Sequence, residues 1–406
     1  VTTDLGLDVD QAEAERIIES LRNGIPPVGH LRRFTVGRTT ELAELDGSLD
    51  RRTASKGGAL LVQANYGAGK THLLRLIQEC ALDTGYVTAL VTVDSNGGIR
   101  FNRMETILGA VMRALEVPGD PIPGVGSLFR AYHAADETQL PAALVSDRDE
   151  ISANGRWDIS DELESAGLWV ALRAWGLTKK PTTRALAESW LSSPPDYNST
   201  PGQLYRGLVE GLRPKVRDPR SDMNFYSDKV FRFDVGGHQQ AWDALADVDR
   251  IAQLSGYRGL VLLFDEFEDV IQNMRNIAHE QAAFVNLFSL FQGKKFPGMA
   301  YFAVTPDFAA KCRDRLQERM VYDFPTGRFD KLSRVEMRPI TKPDFRALAG
   351  RIRDVHGLAY NWSAEDAFPK STIEPLADSL IGRRSADQVR QAITSLVSAL
   401  DEAAEA

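Results

Sequence analysis

Two short stretches of the chain carry residue types that can handle a charged ligand. The first is Ala64-Asn65-Tyr66-Gly67-Ala68-Gly69-Lys70-Thr71, followed by His72. It matches the last three positions of the phosphate-binding pattern G-x-x-x-x-G-K-[ST], with Ala64 in place of the first glycine. The physics tolerates that change. A turn between a strand and a helix aims successive backbone N–H groups inward and makes an anion cradle at the helix N-terminus. Gly67 and Gly69 supply conformations that other residues resist. Lys70 would reach the β- and γ-phosphates of a nucleotide, and the Thr71 hydroxyl would ligate Mg²⁺. The competing reading is a chance glycine turn before a helix. The apolar run before the turn, the helical text after it and the Gly-Lys-Thr sequence all weigh against it.

The second stretch is Leu260-Val261-Leu262-Leu263-Phe264-Asp265-Glu266. An apolar run ends in two adjacent carboxylates. At a phosphoryl-transfer site, Asp265 would hold Mg²⁺, usually through water, and Glu266 would polarise the attacking water. Alone, the pair is equally a buried strand that ends at two surface acids. Its company with Lys70 favours the catalytic reading. Glu268 and Asp269 read as solvated charges or as complements to a helix dipole.

Three further sites are open to more than one reading. Thr305 follows the apolar run 299–304 and either senses a γ-phosphate or makes a turn before Pro306. Arg313, Arg315, Arg319, Arg328, Arg334 and Arg338 cluster downstream. One of them reaches a neighbouring subunit's site in trans, or the stretch faces DNA, or all are solvated charges. Arg383 and Arg384 open the last helical stretch, where Arg384 either reaches back to the γ-phosphate or stays exposed. The six histidines form no catalytic set.

Elements that would position these residues can be read from periodicity. Residues 10–23 have helical spacing and stop at Gly24 with Pro26-Pro27. Residues 38–50 read as a helix with Thr40 as N-cap. Residues 58–64, 86–93, 259–264 and 299–304 read as strands, and 71–83 as a helix with Leu73, Leu74, Ile77 and Ala81 inward. Strand, helix, strand in that order implies a βαβ unit of a parallel sheet. Residues 100–240 hold helical stretches at 103–115, 161–175 and 182–192 and no core strand, which reads as a mostly helical insertion. Helical text at 278–292 separates two strands, and 335–340 reads as an edge strand because Pro339 bars a central place. Helical segments at 343–356 and 385–400 read as a small C-terminal domain. The fold class expected is α/β, a parallel sheet flanked by helices. The expected domains are an N-terminal helix and linker over 1–35, a core over 36–342 and a helical lid over 343–406.

Composition bounds the rest. The chain has 406 residues, 43% hydrophobic and 26% charged, ordinary values for a globular protein. A net charge of −8 argues against whole-surface binding of nucleic acid. Cys80 and Cys312 show no ligand spacing, so neither a disulfide scaffold nor structural zinc is expected. No apolar run approaches the roughly 20 residues of a membrane span. The first residues lack a basic-then-apolar signal, and the expected compartment is the cytoplasm.

The phosphate loop, the long gap, the acid-ended strand, a polar strand end and a helical C-terminus together resemble an AAA+ ATPase of the P-loop class. Val36-Gly37-Arg38-Thr39-Thr40-Glu41-Leu42 resembles the lead-in of the origin-recognition branch, which implies that Gly37 and Arg38 lie near the adenine. More narrowly, three segments resemble the BREX ATP-binding family typified by BrxD. They are Ile17-Ile18-Glu19-Ser20-Leu21-Arg22-Asn23-Gly24-Ile25-Pro26, the loop 65–72, and Arg351-Ile352-Arg353-Asp354-Val355-His356 with Tyr360-Asn361-Trp362. The resemblance implies ATP and Mg²⁺ use and a role in defence against phage. It also implies a homo-oligomer, partner proteins such as a helicase, and DNA as a ligand, direct or through those partners. Little length remains after residue 400 for the winged-helix domain of origin-recognition proteins, which lowers the expectation of autonomous DNA recognition.

Two functions follow as expectations. One is a motor or switch that hydrolyses ATP in a DNA-associated assembly. The other is a nucleotide-dependent scaffold with little turnover. The Asp265-Glu266 pair favours the first. A small-molecule kinase is disfavoured by that pair, the insertion and the helical C-terminus.

Overall fold

The computed structural model describes residues 9–50, 57–93, 99–135, 163–178, 180–193, 200–210, 219–234, 236, 238–268, 276–381 and 388–405. Its centre is a mixed α/β sheet of six strands: β1 (Gly58–Gln63), β2 (Val87–Thr92), β3 (Leu115–Glu116), β4 (Leu260–Asp265), β5 (Met299–Val304) and β6 (Arg334–Glu336). The order across the sheet is β3-β2-β4-β5-β1-β6. All pairings are parallel except that of β2 with β3. β1 and β2 therefore share the sheet but stand two strands apart, with β4 and β5 between them. Parallel strands in one sheet end on one edge, and that edge collects Ala64, Thr92, Asp265 and Thr305.

Side chains on successive strand residues point to opposite faces, and both faces here are covered. Leu60, Val62, Val261, Leu263, Tyr301 and Ala303 pack with Leu73, Leu74 and Ile77 of the helix Lys70–Asp83. Leu61, Leu262, Phe264, Ala300 and Phe302 pack on the other side with residues of the helices Met104–Ala114, Ala166–Leu177, Gln239–Leu254 and Ile277–Gln292. The helical stretch read as an insertion thus closes one face of the sheet and shares its core. The two-residue strand β3 within that stretch was not expected. It is too short to show an alternating pattern and exists through its pairing with β2.

A second core lies apart from the sheet. It joins Ala14, Ile17, Ile18 and Leu21 of the helix Gln11–Arg22 to Phe345, Leu348 and Ile352 of the helix Lys342–Tyr360 and to Leu396 and Leu400 of the helix Gln388–Glu405. Polar contacts fasten the same joint. Arg22 donates to Asp401 at 2.8 Å and to the Tyr360 hydroxyl at 2.9 Å, and His356 meets Asp401 at 2.9 Å. The first helix is therefore built into the C-terminal helical unit. The helix Thr39–Asp50 begins one residue before the expected cap Thr40, because the Leu42 N–H bonds back to the Arg38 carbonyl at 2.9 Å. The helix Lys370–Leu380, in the stretch whose pattern is helical from Thr341 onward, carries an internal proline, Pro375.

Candidate functional site

A cavity of about 250 Å³ opens at the carboxyl edge of the sheet. Its polar end is lined by Tyr66 to His72 and by Asp265, Glu266 and Glu268. Its apolar end is lined by Ile25, Pro26, Pro27, Phe34 and Val36 from one side and by Ile340, Leu348, Val389 and Ile393 from the other. The site is thus assembled from the sheet edge, the segment after the first helix, and the C-terminal helices.

The polar end is built by a tight turn between β1 and the helix Lys70–Asp83. Gly69 caps that helix at φ 91°, ψ 29°, a left-handed conformation in which a side chain is strained. The first N–H groups of the helix have no intrahelical acceptor and face the turn, which makes the place favourable to an anion. Lys70 Nζ donates to the Ala64 carbonyl at 3.2 Å and lies 3.6 Å from Glu268 Oε1. Both of those side chains are largely buried, at 10% and 13% exposure. Burial raises the Glu268 carboxyl above its ordinary range, while the Lys70 charge draws it back. Glu268, read from sequence as a solvated charge or a complement to a helix dipole, lines the cavity beside the lysine.

The acid-ended strand is turned by an aromatic anchor. Phe267 is buried against Phe101, Phe302 and Phe308 at ring separations of 4.8, 4.7 and 5.8 Å. With Phe267 pinned in the core, Glu266 and Glu268 on either side of it both reach the cavity. Glu266 adopts φ 54°, uncommon for a residue with a side chain, and its N–H donates to Asp265 Oδ1 at 3.0 Å. Thr71 and Asp265, a hydroxyl and a carboxylate residue, line the same cavity. That donor set suits Mg²⁺, which takes few protein oxygens and completes its shell with phosphate oxygens and water.

Arg38 lines the cavity, but its guanidinium is engaged by the protein. It donates to the Ala68 carbonyl at 3.3 Å, to the Arg338 carbonyl, and to Glu41 at 3.2 Å. Glu41 also accepts the Arg338 N–H at 3.0 Å. Arg38 and Glu41 thus brace the loop against the end of β6. Gly37 does not line the cavity. It lies against Asp344, whose carboxylate a Cβ at position 37 would meet at 2.5 Å. Asn65 also stays outside the lining, and its carbonyl closes the turn by accepting the Ala68 N–H at 3.2 Å.

Thr305 follows β5 on the same edge but is not among the residues that line the cavity. Its hydroxyl, with Lys311, holds the Asp307 carboxyl below the usual range. Arg384 and Arg383 lie outside the described residues. The arginine that the C-terminal helix brings to the cavity is Arg390, which packs over Gly24. Nothing local in the sequence marks Arg390, since its place depends on how the helix Gln388–Glu405 docks. Of the downstream arginines, Arg313 pairs with Asp330, and Arg315 and Arg319 both pair with the buried Glu280, at 3.2 and 3.5 Å.

His72 meets the Thr35 hydroxyl at 2.8 Å. Burial first, then Arg38 and Arg75, depress its pKa to about 4. The folded state therefore favours neutral imidazole. Above pH ~6.5 neither folded nor unfolded His72 is charged, and this contribution to stability is complete. As pH falls from 6.5 toward 4 the unfolded chain takes up a proton that the fold refuses, and stability drops. The loss expected is up to roughly 2 kcal/mol after allowing for water at the cavity mouth. Denaturant melts of the wild type and of His72→Gln over that range should diverge by this amount, the variant losing less. Parallel curves would remove His72 as an acid-sensitive element.

Among known families, the one described as BREX system ATP-binding protein BrxC/D matches residues 9–155 and 228–406, more than half the chain. No curated protein matches. A solved structure of the ORC2 protein of Aeropyrum pernix, in ADPNP and ADP complexes, is 12% identical over 88% of this chain and 67% of that one. Its TM-score is 0.31, too low to carry an inference about this fold.

Proposed function

Because the chain belongs to the BrxC/D family of BREX system ATP-binding proteins, we propose that it is a Mg²⁺-dependent P-loop ATPase of the AAA+ kind. Its turnover drives or switches a DNA-associated assembly in phage defence. The observation that carries this reading is convergence. Lys70 and Thr71 from one element and Asp265 and Glu266 from another, far apart in sequence, line one cavity that also has an apolar end. Adenine would take the apolar end, which Pro26 and Ile393 help to line. The triphosphate runs along the loop 66–71 toward Lys70. Thr71 and Asp265 would hold Mg²⁺, which supplies charge neutralisation between the phosphates. Glu266 orients the attacking water and draws its proton.

The working units are a core over 36–342, including the helical stretch at about 100–240, and a lid over 343–406. The helix Gln11–Arg22 fastens to that lid. Nucleotide held between core and lid couples its own state to the lid's position. That coupling also supports the second reading, a scaffold that binds ATP, turns over little and organises partner proteins such as a helicase. A homo-oligomer in the cytoplasm, in which one subunit lends an arginine to the next, completes the proposal. No described helix is long and apolar enough to cross a membrane.

Phosphate release from ATP tests the primary reading. The purified chain should release phosphate with Mg²⁺, stop when Mg²⁺ is chelated, and turn over faster per subunit as protein concentration rises. ATP binding without release under all these conditions would leave the scaffold. Release unaffected by chelation would overturn the metal-dependent mechanism.

A further inference from the structure

We infer that Glu268 is an affinity-setting residue that competes with the nucleotide's terminal phosphates for Lys70 and keeps bound nucleotide exchangeable. The inference rests on reading the cavity as a nucleotide site. Its observations are geometric. Glu268 Oε1 lies 3.6 Å from Lys70 Nζ, and both groups line the same cavity. A phosphate drawn to Lys70 would put a second anion on one ammonium, with a largely buried carboxylate beside it. Of the two arginines that line the cavity, Arg390 packs its stem over Gly24, at the end lined by the C-terminal helix. Arg38 is engaged by two carbonyls and Glu41. Asp265 and Glu266 add two more carboxylates at the same end. One Mg²⁺ with Asp265 offsets part of this, and Glu268 is the carboxylate left over.

Like charges held about 4 Å apart at a partly buried site repel strongly, and the repulsion grows with the ligand's charge. Glu268 therefore penalises ATP and ADP and leaves an uncharged nucleoside alone. Phe267 makes the device possible by turning its two neighbours toward the cavity while it stays in the core.

The test is the affinity of the full chain for ATP, ADP and adenosine, by calorimetry, in wild type, Glu268→Gln, Glu268→Asp and Lys70→Ala. Glu268→Gln is expected to bind ATP and ADP about tenfold more tightly, with or without Mg²⁺, and adenosine unchanged. Glu268→Asp, a shorter carboxylate, should fall between. Unchanged or weaker ATP binding in Glu268→Gln, alongside lost binding in Lys70→Ala, would overturn this role for Glu268 and leave the site standing. Weakening seen only with Mg²⁺ would make Glu268 a metal-side carboxylate instead. Equal tightening for adenosine would mark a change of cavity shape and also overturn the inference. If Lys70→Ala binds ATP as well as wild type does, the site reading and this inference fall together.

Discussion

Lys70→Ala is expected to abolish measurable ATP binding, a loss on the order of 10³-fold or more. The ammonium is held at the mouth of the turn by the Ala64 carbonyl at 3.2 Å, where a terminal phosphate would meet it. A charge-assisted contact there is among the stronger hydrogen bonds available, and the surrounding carboxylates magnify its removal. Without Lys70, the carboxylates Asp265, Glu266 and Glu268 face an incoming polyanion against the turn's N–H groups, an Arg38 already engaged by the protein, and Arg390 over Gly24. The fold should survive, because the helix Lys70–Asp83 is held by Leu73, Leu74 and Ile77 in the core. Calorimetry on a variant with wild-type circular dichroism decides the matter. Retained affinity would remove this cavity from consideration as the nucleotide site.

Glu266→Gln is expected to keep ATP binding and lose turnover by on the order of 10²-fold or more, the usual cost of a missing general base. The amide matches the carboxylate in shape but cannot take a proton from the attacking water. Backbone geometry should persist, since Asp265 Oδ1 accepts the residue's N–H at 3.0 Å and Phe267 anchors the turn in the core. Single-turnover phosphate release, paired with a binding assay, separates the two properties. Turnover within about twofold of wild type would exclude Glu266 as the base, and Glu268 would become the next carboxylate to examine.

These two effects differ in kind from that of Glu268. On the proposed reading Lys70 supplies attraction, Glu266 supplies chemistry, and Glu268 sets how long the product stays. A motor needs all three, while a scaffold with little turnover could dispense with Glu266. The Glu266→Gln result therefore also separates the two functional readings.

Much of the scaffold was legible because it is local. β1, β4 and β5 announce themselves as apolar runs, since strands buried on both faces need an apolar residue at nearly every position. The helix Lys70–Asp83 and the helix Gln11–Arg22 show their apolar stripes at helical spacing. The loop 64–71 was legible because close approach of backbone to an anion restricts residue types at fixed offsets. The strand ending in Asp265 and Glu266 was legible as a change from apolar to acidic within one residue.

What the tertiary structure alone decided is non-local. Strand order separates β1 from β2 by two strands, and no pattern within either strand encodes its neighbour. The first helix buries its stripe against helices more than three hundred residues later, because an apolar stripe specifies that it be covered and not by what. Arg38 became a brace through two carbonyls brought in by separate segments. Arg390 reached the cavity through the docking of its helix. Glu268 faces Lys70 because Phe267, one residue earlier, is gripped by aromatic rings from three other parts of the chain. The sequence by itself determined which groups are available to the proposed phosphate and magnesium site and the local turns that present them. Which groups meet was settled by packing, because burial rewards any apolar partner and leaves the choice to the shape of the whole chain.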